Sequence, residues 1–156
     1  MSSSKRISKL LLKAGSRFVF SYKNSRRPGL DGRLELIGGN IEQYESPFEG
    51  LIRELQEEET SGILSNKADE LRPASVQISV NKQEHFIYFM SILEEEFKSL
   101  RHSPEESYGF ALIDEAVILD NDEFCRNSKK FTLKTTKIFD ELHSGGRLER
   151  IIGSLS

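Results

Sequence analysis

Three glutamates, Glu54, Glu57 and Glu58, lie within five consecutive residues of the chain. Side chains three and four positions apart are neighbours on an α-helix, so on a helix these carboxylates project from one side. Two bare carboxylates about 4 Å apart repel by roughly 4 kcal/mol at an effective dielectric constant of about 20. Solvent can offset this repulsion on an open surface. In a cleft, a hard divalent cation with oxygen ligands can offset it.

A helix start precedes these glutamates. Residues 46–49 read Ser-Pro-Phe-Glu, which places a capping serine, a proline in the first helical position and a glutamate in the third. The helix is predicted to continue to about Glu58 and to end at residues 60–62. An apolar stripe with helical spacing follows the cap, formed by Phe48, Leu51, Ile52 and Leu55. The glutamates adjoin this stripe, so we expect them at the edge of the core, near a sheet.

Taken alone, a glutamate-rich helix face is usually a solvated surface, and this is our interpretation of residues 94–96, which are all glutamate. The wider spacing around Glu54 is more specific. Gly39 is followed after five residues by Glu45, and seven residues later by residues 53–58, Arg-Glu-Leu-Gln-Glu-Glu. This arrangement resembles the Nudix box, whose pattern is glycine, five residues, glutamate, seven residues, then Arg-Glu-apolar-x-Glu-Glu-x-Gly. The box covers about 25 residues, and the predicted strand order on either side also fits that family.

Three departures from the family pattern are visible. Ile37 stands where proline often precedes the glycine pair, and Tyr44 replaces a frequent glycine before Glu45. Two extra residues separate the last glutamate of the box from Gly62. None of these changes removes a carboxylate, so they bear on the loop geometry and the substrate more than on the reaction.

The resemblance implies a Mg²⁺-dependent hydrolase that cuts a diphosphate bond, with Mn²⁺ as an alternative ion. By position, Glu54, Glu57 and Glu58 match the Mg²⁺ ligands. Glu45 and Arg53 match a pair that braces the loop against the helix. The backbone of the pair Gly38-Gly39 is expected close to metal or phosphate, where a side chain would obstruct. In many members a glutamate from a late loop assists as base or metal ligand; Glu105 and Glu106 lie in that region, and the choice between them and simple loop charges stays open.

The remaining pattern predicts an α+β fold: by resemblance, an α/β/α sandwich with a mixed sheet and the box as loop–helix–loop. Residues 1–156 are expected to form one domain. Strands are predicted at residues 7–13, 17–23, 33–37 (ended by the glycine pair), 76–80, 86–93 and 108–113, with residues 81–85 as a turn. A late helix is predicted at residues 133–142, continued by residues 148–155 beyond two glycines. The first residues are expected to be a short flexible lead.

Composition narrows the class of protein. Charged residues make up 30% of the chain and the net charge is −3, so no global basic field indicates nucleic acid. A single cysteine, Cys125, excludes a disulfide within the chain, fits a reducing cytoplasm and is predicted to fill a small core space. No apolar run approaches the roughly 20 residues of a membrane span. We therefore expect a cytoplasmic protein without a membrane partner.

The expected partner is a small nucleotide substrate, favoured as a nucleoside diphosphate linked to a sugar, as in ADP-ribose. Hydrolysis of nucleoside triphosphates or of RNA 5′ ends is the enzymatic alternative, and RNA is not excluded as a partner. A Nudix-fold module that binds nucleotides without cutting them is the alternative from another class. The oligomeric state is open, with a homodimer among the options.

Other candidate contacts are weaker. Basic residues in the early loop (Lys23, Arg26 and Arg27) could hold a substrate phosphate, although basic loop residues are usually solvated. Aromatic residues (Tyr22, Tyr44, Phe86 and Tyr88) could stack on a base, although aromatic residues in strands usually belong to the core. The histidines at positions 85, 102 and 143 show no metal-ligand spacing and carry no assigned role.

Overall fold

The computed structural model describes residues 5–155. Within that range seven strands form one mixed sheet. The strands are β1 (Arg6–Ala14), β2 (Arg17–Lys23), β3 (Leu34–Glu35), β4 (Ile37–Asn40), β5 (Ser75–Val80), β6 (Gln83–Ile92) and β7 (Ser107–Asp114). The order along the sheet is β3-β2-β1-β6-β5, with β4 paired to β1 and β7 paired to β2. The pair β1–β6 is parallel and the other pairs are antiparallel.

Helices cover both faces of this sheet. They are α1 (Pro47–Glu58), α2 (Ile63–Leu71), α3 (Glu94–Lys98), α4 (Glu115–Leu119), α5 (Asn121–Arg126), α6 (Leu133–His143) and α7 (Arg147–Gly153). The period of two in β1 explains the two layers, because successive side chains point to opposite faces. Leu10 and Leu12 pack with α1 in one core cluster, whereas Leu11 packs with α6 and α7 in the other. The expected α+β sandwich of a mixed sheet between helices is confirmed.

Strands β1 and β2 separate near the start of β1. β1 pairs with β2 only at its end, from Leu12 to Ala14. Over the range 7–10 its partner on that side is β4 instead. Strand β1 therefore changes partner along its length, and the change brings the glycine pair of β4 beside Ser8 and Lys9.

The structure corrects several boundaries. The strand predicted at residues 33–37 is two short strands, β3 and β4, separated at Leu36, and the glycine pair lies inside β4 and does not end a strand. The turn predicted at residues 81–85 is shorter: Asn81 and Lys82 take it with positive φ, and β6 already begins at Gln83. The physical reason is that two left-handed residues suffice for a tight hairpin.

Other differences concern helices and termini. Helix α2 follows α1 at once, where the sequence suggested only the end of a helix. Helices α4 and α5 were also not predicted, since their turns are too short to show a helical period. Cys125 is exposed on α5, so the prediction of a core position is wrong. Residues 1–4 of the predicted flexible lead lie outside the described residues. Within residues 5–155, no helix is long and apolar enough to cross a membrane.

Candidate active site

Helix α1 begins as its sequence predicts. The Ser46 hydroxyl accepts a hydrogen bond from the Glu49 backbone N–H at 3.1 Å, and the Glu49 carboxylate accepts one from the Ser46 N–H at 2.9 Å. This reciprocal capping box satisfies two N–H groups that the first turn would otherwise leave unpaired. Leu51 and Leu55 are fully buried against the sheet, which fixes the rotation of the helix about its axis.

The rotation of α1 carries Glu58 into the protein. Its side chain is buried, and one carboxylate oxygen accepts a hydrogen bond from the backbone N–H of Gly38 at 2.7 Å. Burial raises the pKa of Glu58 to about 8, while the positive charge of Lys9 and the Gly38 hydrogen bond act in the opposite direction. A buried carboxylate is costly unless it is paired, bonded or bound to a cation, so this position favours a counter-charge.

Glu54 lies one turn earlier and faces Gly39. A Cβ added at Gly39 would lie 2.7 Å from both carboxylate oxygens of Glu54, which is closer than real Cβ contacts. Glycine at this position therefore lets the Glu54 carboxylate lie against the strand, and a Cβ there would displace it. At Gly38 the requirement is stronger, because φ is +135° and a Cβ would overlap the carbonyl oxygen of Ser8. The glycine pair and these two glutamates form one compact unit.

Arg53 connects the loop after β4 to the helix. Its guanidinium donates to both carboxylate oxygens of Glu45, at 2.9 and 3.1 Å, and to the backbone oxygen of Asn40 at 2.8 Å. The hydrogen bond with Arg53 is the main cause that lowers the pKa of Glu45. Bidentate pairing of this kind fixes geometry as well as charge. The arrangement is the brace that the resemblance implies for Glu45 and Arg53.

Glu57 does not join the other two glutamates. Its side chain is 49% exposed, and its carboxylate accepts from Arg53 at 3.3 Å. Arg53 also contacts Glu54 at 3.1 Å, so the guanidinium holds both carboxylates. Among residues 5–155, no group of three or more His, Cys, Asp and Glu side chains is arranged to hold a metal ion. Arg53 engages only Oε1 of Glu57, and the second carboxylate oxygen forms no hydrogen bond with another described residue.

The donor set nevertheless fits a hard cation. Glu54 and Glu58 offer carboxylate oxygens beside the backbone of the glycine pair, and oxygen is the ligand that Mg²⁺ and Mn²⁺ accept. Burial raises the pKa of Glu54, the positive charge of Arg53 acts to lower it, and the charge of Glu57 raises it. The charge of Glu54 in turn raises the pKa of Glu58. This mutual repulsion is what a divalent cation between the carboxylates would relieve.

The late loop reaches the end of α1 through its backbone. The Ser103 N–H donates to the Glu58 carbonyl at 3.1 Å, and the Thr60 N–H donates to the Arg101 carbonyl at 2.7 Å. Glu105 and Glu106 are both exposed, and neither side chain forms a hydrogen bond or ion pair with another described residue. The structure thus brings the loop to the helix without selecting either glutamate, and their role stays a prediction.

Sequence reasoning missed two residues beside this unit. Glu59 is fully buried, and its carboxylate accepts from the backbone N–H groups of Ser61, Leu64 and Arg101. Lys9 is also buried, and its ammonium donates to the carbonyls of Leu36 and Gly38 at 3.3 and 3.2 Å. A lysine between Ile7 and Leu11 on one face of an apolar strand was the available signal for Lys9. The sequence carries no comparable signal for Glu59, because an extra glutamate at a helix end usually faces solvent.

The weaker candidates are dispersed. Lys23 pairs with Glu35 at 3.4 Å, whereas Arg26 and Arg27 are exposed in their loop. Tyr44 is 93% exposed beside Glu45 and has a positive φ of 75°, so its ring is open to a ligand at the cost of a strained backbone. Tyr88 is buried and packs against Phe48, as a core residue does.

No protein-family model matches the sequence, and no curated protein sequence matches it either. Solved structures do resemble the fold. A MutT protein from Methanosarcina mazei Go1 matches over 90% of this chain and 95% of its own, with 14% identity and a TM-score of 0.54. A Nudix-family hydrolase from Clostridium perfringens matches over 90% and 96%, with 15% identity and a TM-score of 0.55.

A third structure is a bifunctional NMN adenylyltransferase/ADP ribose pyrophosphatase from Francisella tularensis, complexed with AMP and a manganese ion. It matches over 97% of this chain but only 43% of its own, with 13% identity and a TM-score of 0.64. Identities this low show the fold alone. The chain has the Nudix fold.

Proposed function

We propose that this chain, which has the fold of the Nudix hydrolases, is a pyrophosphohydrolase that depends on Mg²⁺ or Mn²⁺. Its substrate would be a nucleoside diphosphate linked to another group, with a nucleotide sugar or ADP-ribose favoured. The single observation that carries the proposal is the buried unit of Glu54, Glu58 and the glycine pair. Glu58 is buried with a single hydrogen-bond donor and Glu54 is pressed against a glycine, which costs the fold free energy that a bound cation would offset.

In the proposed mechanism, Glu54 and Glu58 would hold the cation, and the second carboxylate oxygen of Glu57 would join them. A bound Mg²⁺ supplies charge neutralisation for the diphosphate and a water of lowered pKa. Arg53 and Glu45 fix the loop after β4, so that the backbone of Gly39 stays close to the carboxylates. The attacking water must lose a proton to a carboxylate within hydrogen-bond reach. Glu57 is half exposed and close by, and Glu105 or Glu106 would need the late loop to bring it in.

The favoured substrate rests on three observations. Residues 34–36, Leu-Glu-Leu, followed by a glycine pair resemble the lead-in of the ADP-ribose and nucleotide-sugar branch. The Francisella tularensis structure also matches with a TM-score of 0.64, and its name includes ADP ribose pyrophosphatase. Tyr44 adds an exposed ring beside the brace, and stacking on a base is worth about 1–3 kcal/mol. In this proposal the protein works in the cytoplasm on a small nucleotide.

The experiment is a hydrolysis screen with Mg²⁺ and with EDTA. The panel comprises ADP-ribose, nucleotide sugars, dinucleoside polyphosphates, NADH, nucleoside triphosphates and capped or triphosphorylated RNA. We expect turnover of at least one diphosphate-linked compound, abolished by EDTA and restored by added Mg²⁺. Undiminished turnover in EDTA, or no turnover of any compound, contradicts the proposal, and the second result favours a binding module. A preference of about tenfold in kcat/KM for any triphosphate, about 1.4 kcal/mol, would replace the favoured substrate and leave the reaction class intact.

Two variants test the ligands against a matched control. Glu58→Gln and Glu57→Gln should each lower kcat by about two orders of magnitude or more. Neither should unfold the chain, because an amide oxygen in place of the Glu58 carboxylate can still accept from the Gly38 N–H and Glu57 is half exposed. Glu95→Gln removes an exposed charge on α3 and should leave kcat unchanged. A variant at position 57 or 58 with the kcat of the control shows that the ligand assignment is wrong at that residue.

A further inference from the structure

Strand β5 forms one edge of the sheet. It pairs with β6 on one side, and within residues 5–155 no strand pairs with its other side. Ser75, Gln77 and Ser79 are exposed, whereas Ile78 and Val80 are buried against the core. An edge strand offers unpaired backbone N–H and C=O groups to any chain that can lie beside it.

The hydrogen bonds of β6 show which backbone groups of β5 are free. The Phe89 N–H donates to the Ala74 carbonyl at 3.1 Å, whereas the Glu84 N–H donates to the Lys5 carbonyl, on the other side of β6, at 3.1 Å. Because the backbone groups of successive residues in an antiparallel strand point to opposite sides, the even-numbered residues of β5 bond to β6. The three exposed, odd-numbered residues therefore direct their N–H and C=O groups away from the sheet.

This edge lacks the features that usually prevent strand pairing. Native edge strands carry charges, prolines or bulges that keep other strands away. Residues 74–80 contain no charged residue and no proline, although 30% of the chain is charged, and β5 pairs with β6 without a register shift. The opposite edge strand, β7, has a register shift in its pairing with β2, and its Gly109 has a φ of +131°. Of the two edges, β5 is the one open to pairing.

The sequence of β5 is complementary to itself. When two copies of the strand run antiparallel with Gln77 opposite Gln77, Ser75 lies opposite Ser79 and Val76 lies opposite Ile78. The outward backbone groups of the odd-numbered residues then meet one another in hydrogen-bonded pairs. The serine and glutamine pairs are polar and uncharged, and the valine–isoleucine pairs extend the apolar face that packs against α6 and α7. No like charges are opposed in this register.

We propose that β5 pairs with β5 of a second copy of this chain, so that the two sheets join into one across a twofold axis at Gln77. Both copies use the same surface, so the assembly closes at two chains. A pair of six-residue strands falls short of the roughly 1,200–2,000 Å² that stable interfaces bury, so the dimer forms at micromolar concentrations and dissociates on dilution. Neither Glu54 nor Glu58 takes part, and the proposal does not depend on hydrolysis.

The first test measures association by sedimentation velocity at protein concentrations from about 5 to about 500 µM. Gln77→Glu places two carboxylates opposite each other on the axis, close to Glu84, to which the Gln77 amide donates at 2.6 Å. We expect the wild type to form a dimer and Gln77→Glu to raise its Kd about tenfold or more. Asn66→Asp adds the same charge at an exposed position of α2 and should stay within about twofold of the wild type.

Three results would overturn the proposal. They are a wild type that stays monomeric throughout, an assembly larger than a dimer, and equal Kd values in the two variants. A monomeric wild type would leave the edge to a chain of another protein.

Charge exchange tests whether the two Gln77 positions meet. An equimolar mixture of Gln77→Glu and Gln77→Lys should associate at least tenfold more tightly, roughly, than Gln77→Glu alone, because opposite charges then face each other on the axis. Restored association also shows that the Gln77→Glu chain is folded. A mixture that associates no more tightly than Gln77→Glu alone contradicts both the register and the partner.

Cysteine cross-linking tests the register directly, in a Cys125→Ser background that removes the exposed native thiol. Gln77→Cys brings two sulfurs to the axis, where the Cα atoms of a hydrogen-bonded pair are about 5.5 Å apart and a disulfide can form. Ser75→Cys is the matched control, because its equivalent in the other copy lies four residues away, about 13 Å along the strand. Mild oxidation should link the first variant into dimers and leave the second monomeric. Equal cross-linking of the two variants, or none at position 77, refutes the pairing.

Discussion

Replacing Glu59 with alanine should destabilise the protein more than any change in the exposed acidic residues. The carboxylate of Glu59 accepts from Ser61 at 2.9 Å, from Leu64 at 3.2 Å and from Arg101 at 2.9 Å. These three N–H groups belong to the start of α2 and to the late loop. One side chain therefore ties together the end of α1, the beginning of α2 and the loop that carries Glu105 and Glu106.

The size of the loss follows from the surroundings of the three donors. Leu64 is fully buried, so its N–H cannot turn to water and its loss costs about 1–3 kcal/mol. Ser61 and Arg101 are exposed residues, and water can replace the carboxylate there at about 0.5–1 kcal/mol each. The expected total is about 3 kcal/mol, which corresponds to a fall in Tm of roughly 10 °C for a chain of this size.

The measurement is urea unfolding of the wild type, Glu59→Ala and Glu95→Ala, followed by circular dichroism. Glu95 is an exposed glutamate of α3, and its replacement should change the free energy of unfolding by less than about 0.5 kcal/mol. If Glu59→Ala loses less than about 1 kcal/mol, the three hydrogen bonds do not anchor this junction and the reasoning is refuted. Hydrogen exchange at the Leu64 amide adds a local check, because it should accelerate more than exchange at Leu51 within α1.

Three further changes probe the loop and the helix of the site. Ser46→Ala removes the N-cap and should cost about 1 kcal/mol in urea unfolding, and an unchanged midpoint would show that the capping box does not stabilise α1. Gly39→Ala should displace the Glu54 side chain and lower kcat about tenfold or more with a near-normal Tm, whereas full activity would show that the close approach is unnecessary. Tyr44→Gly relieves a φ of 75° and should keep or raise stability by up to about 1 kcal/mol. If the ring stacks on the substrate, KM rises in that variant while kcat is kept, and an unchanged KM excludes the stacking role.

The part of the fold that the sequence predicts is the part governed by local rules. The capping residues and the apolar stripe that predict α1 all lie within the helix itself. In the same way, the alternation of apolar residues predicts β1, β2 and β6. The spacing from Gly39 to Glu58 is also local, which is why it identified the box and its brace of Glu45 and Arg53 without any structure. Each of these elements can be recognised from the spacing of apolar and polar side chains along its own sequence.

The elements that were missed depend on partners distant in sequence. Helix α2 begins at Ile63 after Gly62, which offers no side-chain cap, and Glu59 of the preceding turn supplies the acceptor instead. In the sequence, Lys9 is a charged residue in an apolar strand without a visible partner. Its partners exist only because β4 pairs with β1, which brings the carbonyls of Leu36 and Gly38 to its ammonium group. The break at Leu36 likewise exists because β3 pairs with β2 while β4 pairs with β1.

The change of partner along β1 explains why the site lies where it does. A continuous β1–β2 pairing would leave no opening at the start of β1, but pairing with β4 over residues 7–10 draws the glycine pair into the sheet. Gly38 then has its N–H bonded to Glu58 and its carbonyl bonded to Lys9, so one residue separates a buried acid from a buried base. Their charges lie too close to be independent, since Lys9 acts to lower the pKa that burial raises at Glu58. The fold thus holds a negative and a positive centre on either side of one strand, and the electrostatic contact between them depends on the backbone of Gly38 staying in place.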